Sequence, residues 1–155
     1  MGSKILHVGP TGQGKVVKMV NQMLAALHLL AIGEGFALGV RCGADPTTLY
    51  TVTRESPGYS RMMDLRLREF LLKDSFEPGF KLDLIKKDVN LGVESARWLG
   101  VPVLLSSMVS QILASASSAG RGAEDFSAAA QFLAGLANVQ FSQTGERLKA
   151  ERVTA

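Results

Sequence analysis

One stretch, Gly9 to Gly43, constrains this chain more than any other. It opens with GPTGQGK (Gly9 to Lys15) and then continues to Gly43 with no proline. Glycines followed by a long proline-free apolar run read as a tight turn feeding a long helix. Met23 to Val40 is apolar apart from His28 and Glu34, which brings it to the lower limit of a bilayer-spanning length. It also holds Gly33, Gly35 and Gly39 and has no flanking basic cluster. The reading is therefore a buried central helix, with no membrane partner expected. On this helix Gly14, Lys18, Asn21, Gln22 and Ala25 recur at the i, i+3, i+4 spacing of a single face. A lysine and two amides thus share a stripe next to the glycine turn, in a helix that is otherwise mostly apolar.

A chain of 155 residues, 46% hydrophobic and 20% charged, suits one domain with a substantial core. The net charge of +3 comes from interspersed acids and bases, with no basic block or aromatic-interleaved patch, so no nucleic-acid partner is expected. Cys42 is the only cysteine, which excludes an internal disulfide and a cysteine-built zinc site and points to a reducing, cytoplasmic setting. The N-terminal MGSKILHVG lacks the basic region, long apolar segment and cleavage site of a secretory signal.

Lys4 to Val8 reads as a short β-strand, and it is the one convincing strand in the sequence. After the long helix, Gly43 suits a left-handed closing position, and Asp45-Pro46 supplies an N-cap with proline at the first position of a helix over Pro46 to Thr53. Ser56-Pro57-Gly58 is a turn, Ser60 to Leu72 a third helix, and Asp74 to Gly79 a loop. Phe80 to Leu99 carries an apolar stripe at helical spacing and ends at Gly100. Pro102 opens a further helix to about Ser118, and Gly120 and Gly122 break it. Asp125 can cap a last helix over Phe126 to Ala137. This gives a helical domain over residues 1–137 and a polar tail over 138–155.

The chemistry of these residues narrows the function. Gly9, Gly14 and Lys15 satisfy G-x-x-x-x-G-K, the pattern of a phosphate-cradling loop, so a phosphate- or nucleotide-binding helical module using GPTGQGK stands as the alternative reading. Val16 nevertheless occupies the position where that motif needs a hydroxyl for magnesium. The Lys18, Asn21, Gln22 stripe has its own ordinary explanation as a solvated face. Enclosure of such a lysine by apolar surface would instead favour its neutral form and suit it to proton transfer. Asp83 and Lys87, spaced i, i+4, read as a surface ion pair. His7 and His28 are too isolated to ligate a metal, and no serine sits in a nucleophile elbow, so neither a metal site nor a covalent nucleophile is expected.

In order along the chain stand G-x-x-G-x-G-x-x-x-K-x-x-N-Q from Gly9 to Gln22, P-G-F from Pro78, and K-D from Lys87. This set resembles the β-hydroxyacid (3-hydroxyisobutyrate) dehydrogenase family over roughly Ile5 to Leu133. The segment Ser115 to Ala128 is most similar to the L-threonate dehydrogenase branch, with tartronate semialdehyde reductase next. The resemblance implies an all-α fold, like the C-terminal domain of 6-phosphogluconate dehydrogenase, built around one long helix with the short N-terminal strand attached. It implies that NAD or NADP is bound mainly by an N-terminal Rossmann domain absent from this chain, and that the piece alone is inactive. Lys18 would be the catalytic lysine, Asn21, Gln22 and Gly14 substrate-binding, and Lys87, Phe80 and Asp88 cofactor-binding. A small hydroxy acid and a nicotinamide dinucleotide would be the ligands, in a homodimer or homotetramer.

Overall fold

A computed structural model describes residues 6–142. Its order is α1 (Gln13–Arg41), α2 (Pro46–Arg54), a π-helical turn (Met63–Arg68), a 3-10 turn (Leu71–Lys73), α3 (Leu82–Leu99), α4 (Leu104–Ala116), a second π turn (Ser117–Arg121) and α5 (Ala128–Gly135). α1 is the axis against which α2, α3, α4, α5 and the first π turn pack. It starts at Gly12, whose φ of +99° only glycine adopts without strain, and its closing turn ends at Gly43 with φ +90°. The buried positions Ala26, Leu29, Leu30, Gly33, Phe36, Ala37 and Val40 follow the helical period. They lie in the C-terminal half of α1. No residue from Gln13 to Ala25 is fully buried.

α5 closes over this axis with Ala128, Ala129, Ala130 and Ala134, all essentially inaccessible. Small side chains let the two backbones approach so closely that a β-carbon on Gly33 would stand 2.9 Å from Ala130 Cβ and 3.2 Å from its Cα. α2 is held at its start by the Asp45 carboxylate, which accepts the Thr48 amide at 2.7 Å. α3 ends at Gly100, φ +69°, in the left-handed closing conformation.

The segment between α2 and α3 departs from the expected third helix over Ser60 to Leu72. Met63, Leu67 and Leu71, all fully buried, keep the apolar spacing, but the backbone widens into the π turn and then tightens into the 3-10 turn. Two polar requirements accompany that change. The Asp64 carboxylate accepts the hydroxyls of Tyr50 (2.5 Å) and Tyr59 (2.8 Å), tying the turn to α2 and its following loop. Arg66 lies over the rings of Phe70 and Phe126, at 5.1 and 4.8 Å from their centres, and its Nε stands 3.3 Å from the buried Asp125 carboxylate.

Asp125 joins separate parts of the chain. One of its carboxylate oxygens accepts the Phe80 amide (2.9 Å) and the other the Ser127 amide (3.0 Å). Its own amide donates to the Phe76 carbonyl, and Leu82 and Asp83 donate theirs to Glu124 and Gly122. The residues before α3 are thereby paired with the residues before α5 in a single antiparallel bridge, Lys81 with Asp125.

The fold class expected from the sequence needs correction. Leu6 to Val8 are not a strand, and Lys4 and Ile5 of the expected strand lie outside the described residues. The notion of a C-terminal domain relieved of cofactor binding is also overturned, by the family match reported below. The outer helices are shorter than the sequence suggested: α3 begins at Leu82, after Phe80 and Lys81 have paired with the Asp125 segment, and α4 begins two residues after Pro102. Ala128 opens α5, because Asp125 to Ser127 form its cap. Within the expected polar tail, Val139 and Phe141 are buried in the core, and the Gln131 side chain donates to the Val139 carbonyl at 2.8 Å.

This packing can be probed in two places. Gly33→Ala and Gly35→Ala gain the same helix propensity, yet the β-carbon meets Ala130 at the first position and open space at the second. Urea unfolding should place Gly33→Ala below Gly35→Ala by about 1–3 kcal/mol. The Tyr50 and Tyr59 hydroxyls hold the Asp64 carboxyl below the usual carboxylate range. Its contribution is therefore complete above the unfolded carboxyl's pKa and lost as pH falls through the lower folded value. Acidification from neutrality should weaken the wild type more than Asp64→Asn, measured as the shift of urea midpoint with pH.

Candidate active site

Lys18, Asn21 and Gln22 lie one turn apart near the exposed start of α1, and α3 crosses that start. The crossing is close because Gly92 has no side chain: a β-carbon there would stand 2.5 Å from Met23 Sδ and 3.5 Å from Met19 Cγ. One turn before Gly92, this approach brings Asp88 against the polar face of α1. The Lys18 Nζ is 3.2 Å from Asp88 Oδ2, and Gln22 Nε2 donates to the same oxygen at 3.2 Å. Asn21 Nδ2 donates to Gln22 Oε1 at 3.4 Å, extending the chain of contacts outward.

Burial divides the roles within this cluster. The Asp88 side chain is only 11% exposed, whereas that of Lys18 is 66% exposed. A carboxylate held under a helix crossing, with a lysine and an amide on one oxygen, is a fixed anchor for an exposed ammonium. Lys18 thus projects from a defined base into solvent, where a ligand can reach it. The apolar enclosure of Lys18 foreseen in the sequence is not supplied by the neighbours of α1.

The glycine turn stands beside this group. Gly9 and Gly12 both have positive φ, +119° and +99°. Gly14 is already within α1, and a β-carbon added to it would meet only Val8, at 3.9 Å. No side chain caps this end of α1, and its first turn contains no acidic residue, a charge pattern that suits an anionic group there. Val16, where a phosphate-binding loop would need a hydroxyl, is 45% exposed.

The remaining expected residues are placed differently. Lys87 is exposed on α3, on the turn next to Asp88. Asp83 pairs not with Lys87 but with Lys86, at 2.7 Å, and also accepts the Ser117 hydroxyl at 2.6 Å; both hold its carboxyl below the usual range. Phe80 belongs to the Asp125 cluster: its amide binds that carboxylate and its ring meets Phe126 edge-on, 6.1 Å between centres. Among the described residues no three His, Cys, Asp or Glu side chains group as a metal site would require. The Asp88 contact with Lys18 and Gln22 was not foreseeable, because it joins residues far apart in the chain and the only trace of it in the sequence is Gly92.

Residues 12–133 match the family described as the NAD-binding part of NADP-dependent 3-hydroxyisobutyrate dehydrogenase. That description assigns NAD binding to these residues themselves, so the expectation that the dinucleotide is bound mainly by a domain absent from the chain is set aside. The chain is 36% identical to 2-(hydroxymethyl)glutarate dehydrogenase of Eubacterium barkeri over 83% of its own length and 42% of the relative's. It is likewise 36% identical to L-threonate dehydrogenase of Cupriavidus necator, over 88% of its own length and 46% of the relative's. Among solved structures, 3-hydroxyisobutyrate dehydrogenase from Salmonella typhimurium superposes with a TM-score of 0.78 at 32% identity, over 84% of this chain and 46% of that one. The chain spans less than half the length of these relatives. With a match running from Gly12 through both the lysine-amide stripe and Asp88, it belongs to the 3-hydroxyisobutyrate dehydrogenase family.

Proposed function

We propose that these residues serve an NAD(P)-dependent dehydrogenase acting on a small hydroxy acid, with Lys18 exchanging the proton of the reacting oxygen. The observation that carries this reading is the exposed Lys18 ammonium held 3.2 Å from the buried Asp88 carboxylate, beside an uncapped helix start. When bound, the nicotinamide supplies a hydride acceptor or donor. In oxidation, the amine form of Lys18 takes the hydroxyl proton as the carbonyl forms. In reduction, the ammonium returns that proton to the oxygen. Asp88 and Gln22 act on Lys18 by keeping its Nζ in place. Exposed Asn21 would turn its amide toward a substrate hydroxyl or carboxylate, Gln22 would border the same ligand while bonded to Asp88, and Gly14, with no side chain, would leave room for it to approach.

The residues present fit a dinucleotide to this extent: Lys87 is an exposed cation one position from Asp88 on the same helix, suited to a phosphate or ribose oxygen. Phe80, half-buried against Phe126, would act through the shape of the neighbouring wall. A small hydroxy acid such as L-threonate or tartronate semialdehyde is the substrate class favoured by the residues from Ser115 to Ala128 and by the L-threonate dehydrogenase relative. The remaining length found in the relatives would complete the site, in a homodimer or homotetramer, in the cytoplasm.

The test follows reduced nicotinamide absorbance with L-threonate and related hydroxy acids in the longest natural polypeptide that contains these residues. Because its ion pair is largely solvated, Lys18→Ala should cost less than about 1 kcal/mol of stability, while kcat/KM should fall by about 10²-fold or more. A folded Lys18→Ala variant with undiminished turnover would remove the lysine from the chemistry.

A further inference from the structure

Three glycines, Gly33, Gly35 and Gly39, lie in the C-terminal half of α1. Contacts within the chain account for two of them. A β-carbon on Gly33 would meet Ala130, and one on Gly39 would stand 2.6 Å from Leu49 Cδ1. Gly35 has no such cause, since a β-carbon there meets nothing within 4 Å. A glycine in mid-helix weakens the helix relative to alanine, and its usual reason is the close approach of a neighbour. Gly35 opens instead on a cavity of about 320 Å³ between α1, α2 and the loop leading into the first π turn. Ile32, Phe36 and Met63, all buried, form its floor, and His28 and Ser60 also line it. The Ser60 hydroxyl is shut off from solvent and has no hydrogen-bond partner among the described residues. It has given up water without replacement, and nothing holds it in its present rotamer, so rotation about χ1 can present it to an occupant of the cavity.

We propose that this cavity is a second ligand site, which takes a compact, uncharged, mainly apolar molecule carrying one carbonyl oxygen. Its volume lies at the lower end of the range for small-molecule pockets, roughly 300–1,000 Å³. It is about twice the ~150 Å³ that holds a benzene ring, so a substituted aromatic ring is of the right size. No lysine, arginine, aspartate or glutamate lines it, which disfavours a phosphate or a polycarboxylate. The apolar body would lie on Ile32, Phe36 and Met63, flat against α1 where Gly35 has no side chain, and the Ser60 hydroxyl would donate to the carbonyl. A polypeptide segment is a poorer occupant, because its backbone polar groups would find few partners there. The site is distinct from the Lys18 cluster. His28, the cavity residue nearest Lys18 in the sequence, is ten positions further along α1, about 15 Å of helix axis. The inference therefore does not rest on the dehydrogenase reading.

Acetophenone and ethylbenzene share one skeleton and differ by the carbonyl oxygen, so together they probe both halves of the site. Titrated into the longest natural polypeptide that contains these residues, each should bind saturably and shift the Met63 methyl NMR signal through its ring current. The signals of Met19 and Met23, which flank Gly92, should stay in place. Ser60→Ala should weaken acetophenone by about 3- to 10-fold and leave ethylbenzene within about twofold. Gly35→Leu, which fills the cavity from α1, should weaken both by about 10-fold or more with circular dichroism unchanged. Three results would overturn the proposal. They are a Met63 signal that neither probe moves, as when further polypeptide already fills the cavity, a folded Gly35→Leu variant that binds both probes like the wild type, and a Ser60→Ala variant that does not discriminate between them. None of these readouts depends on turnover, so failure here is separable from failure of the Lys18 assignment.

Discussion

The buried Asp125 carboxylate sets the terms for much of this fold. An ionised carboxylate with no exposed surface is tolerated only where its oxygens are met, and removing a partner from such a group typically costs about 3–5 kcal/mol. Asp125 is met by Arg66 from the π turn, by the Phe80 amide before α3 and by the Ser127 amide before α5. Those three segments come from separate parts of the chain, so satisfying one charge docks them together. Arg66 in turn lies over the rings of Phe70 and Phe126, which limits the orientations open to its planar guanidinium. The start of α3 is thereby fixed in direction, and with it the path that carries Asp88 to Lys18.

At the other end of that path the constraint is steric. α3 can cross α1 only where Gly92 admits Met19 and Met23, and the crossing decides which face of α1 receives Asp88. Lysine, glutamine and carboxylate thus meet because two helices touch at a glycine. The gain from the pair itself is small, since Lys18 is mostly solvated. The arrangement fixes position more than it adds stability.

α1 is apolar over most of its circumference, a pattern ordinarily found in helices covered on every side. In this chain its C-terminal half is covered by α2, α4 and α5, while Val16, Val17, Val20 and Leu24 on its N-terminal half remain about half exposed. Together with Trp98 and Leu104 at the α3–α4 tip, they leave the molecule with more apolar surface than its own helices can cover. The chain spans less than half the length of the relatives it matches.

Local chemistry alone determined a good deal. The glycine-led, proline-free run determined α1, Asp45-Pro46 the start of α2, Gly43 and Gly100 the left-handed ends of two helices, and the spacing of Lys18, Asn21 and Gln22 their common face. The ordered motifs were enough to name the family. What stayed hidden depended on contacts between distant residues. The apolar spacing of Met63, Leu67 and Leu71 is the same in an α-helix and in a wider turn, and the demands of Arg66 and Asp64 accompany the second. Val139 and Phe141 sit in a polar stretch whose burial depends on what lies above it. Above all, an acid one position after a lysine in α3 reads as surface charge until the Gly92 crossing turns it under Lys18. Sequence periodicity specifies which side of a helix is apolar, but only packing decides which helix that side meets and at what register.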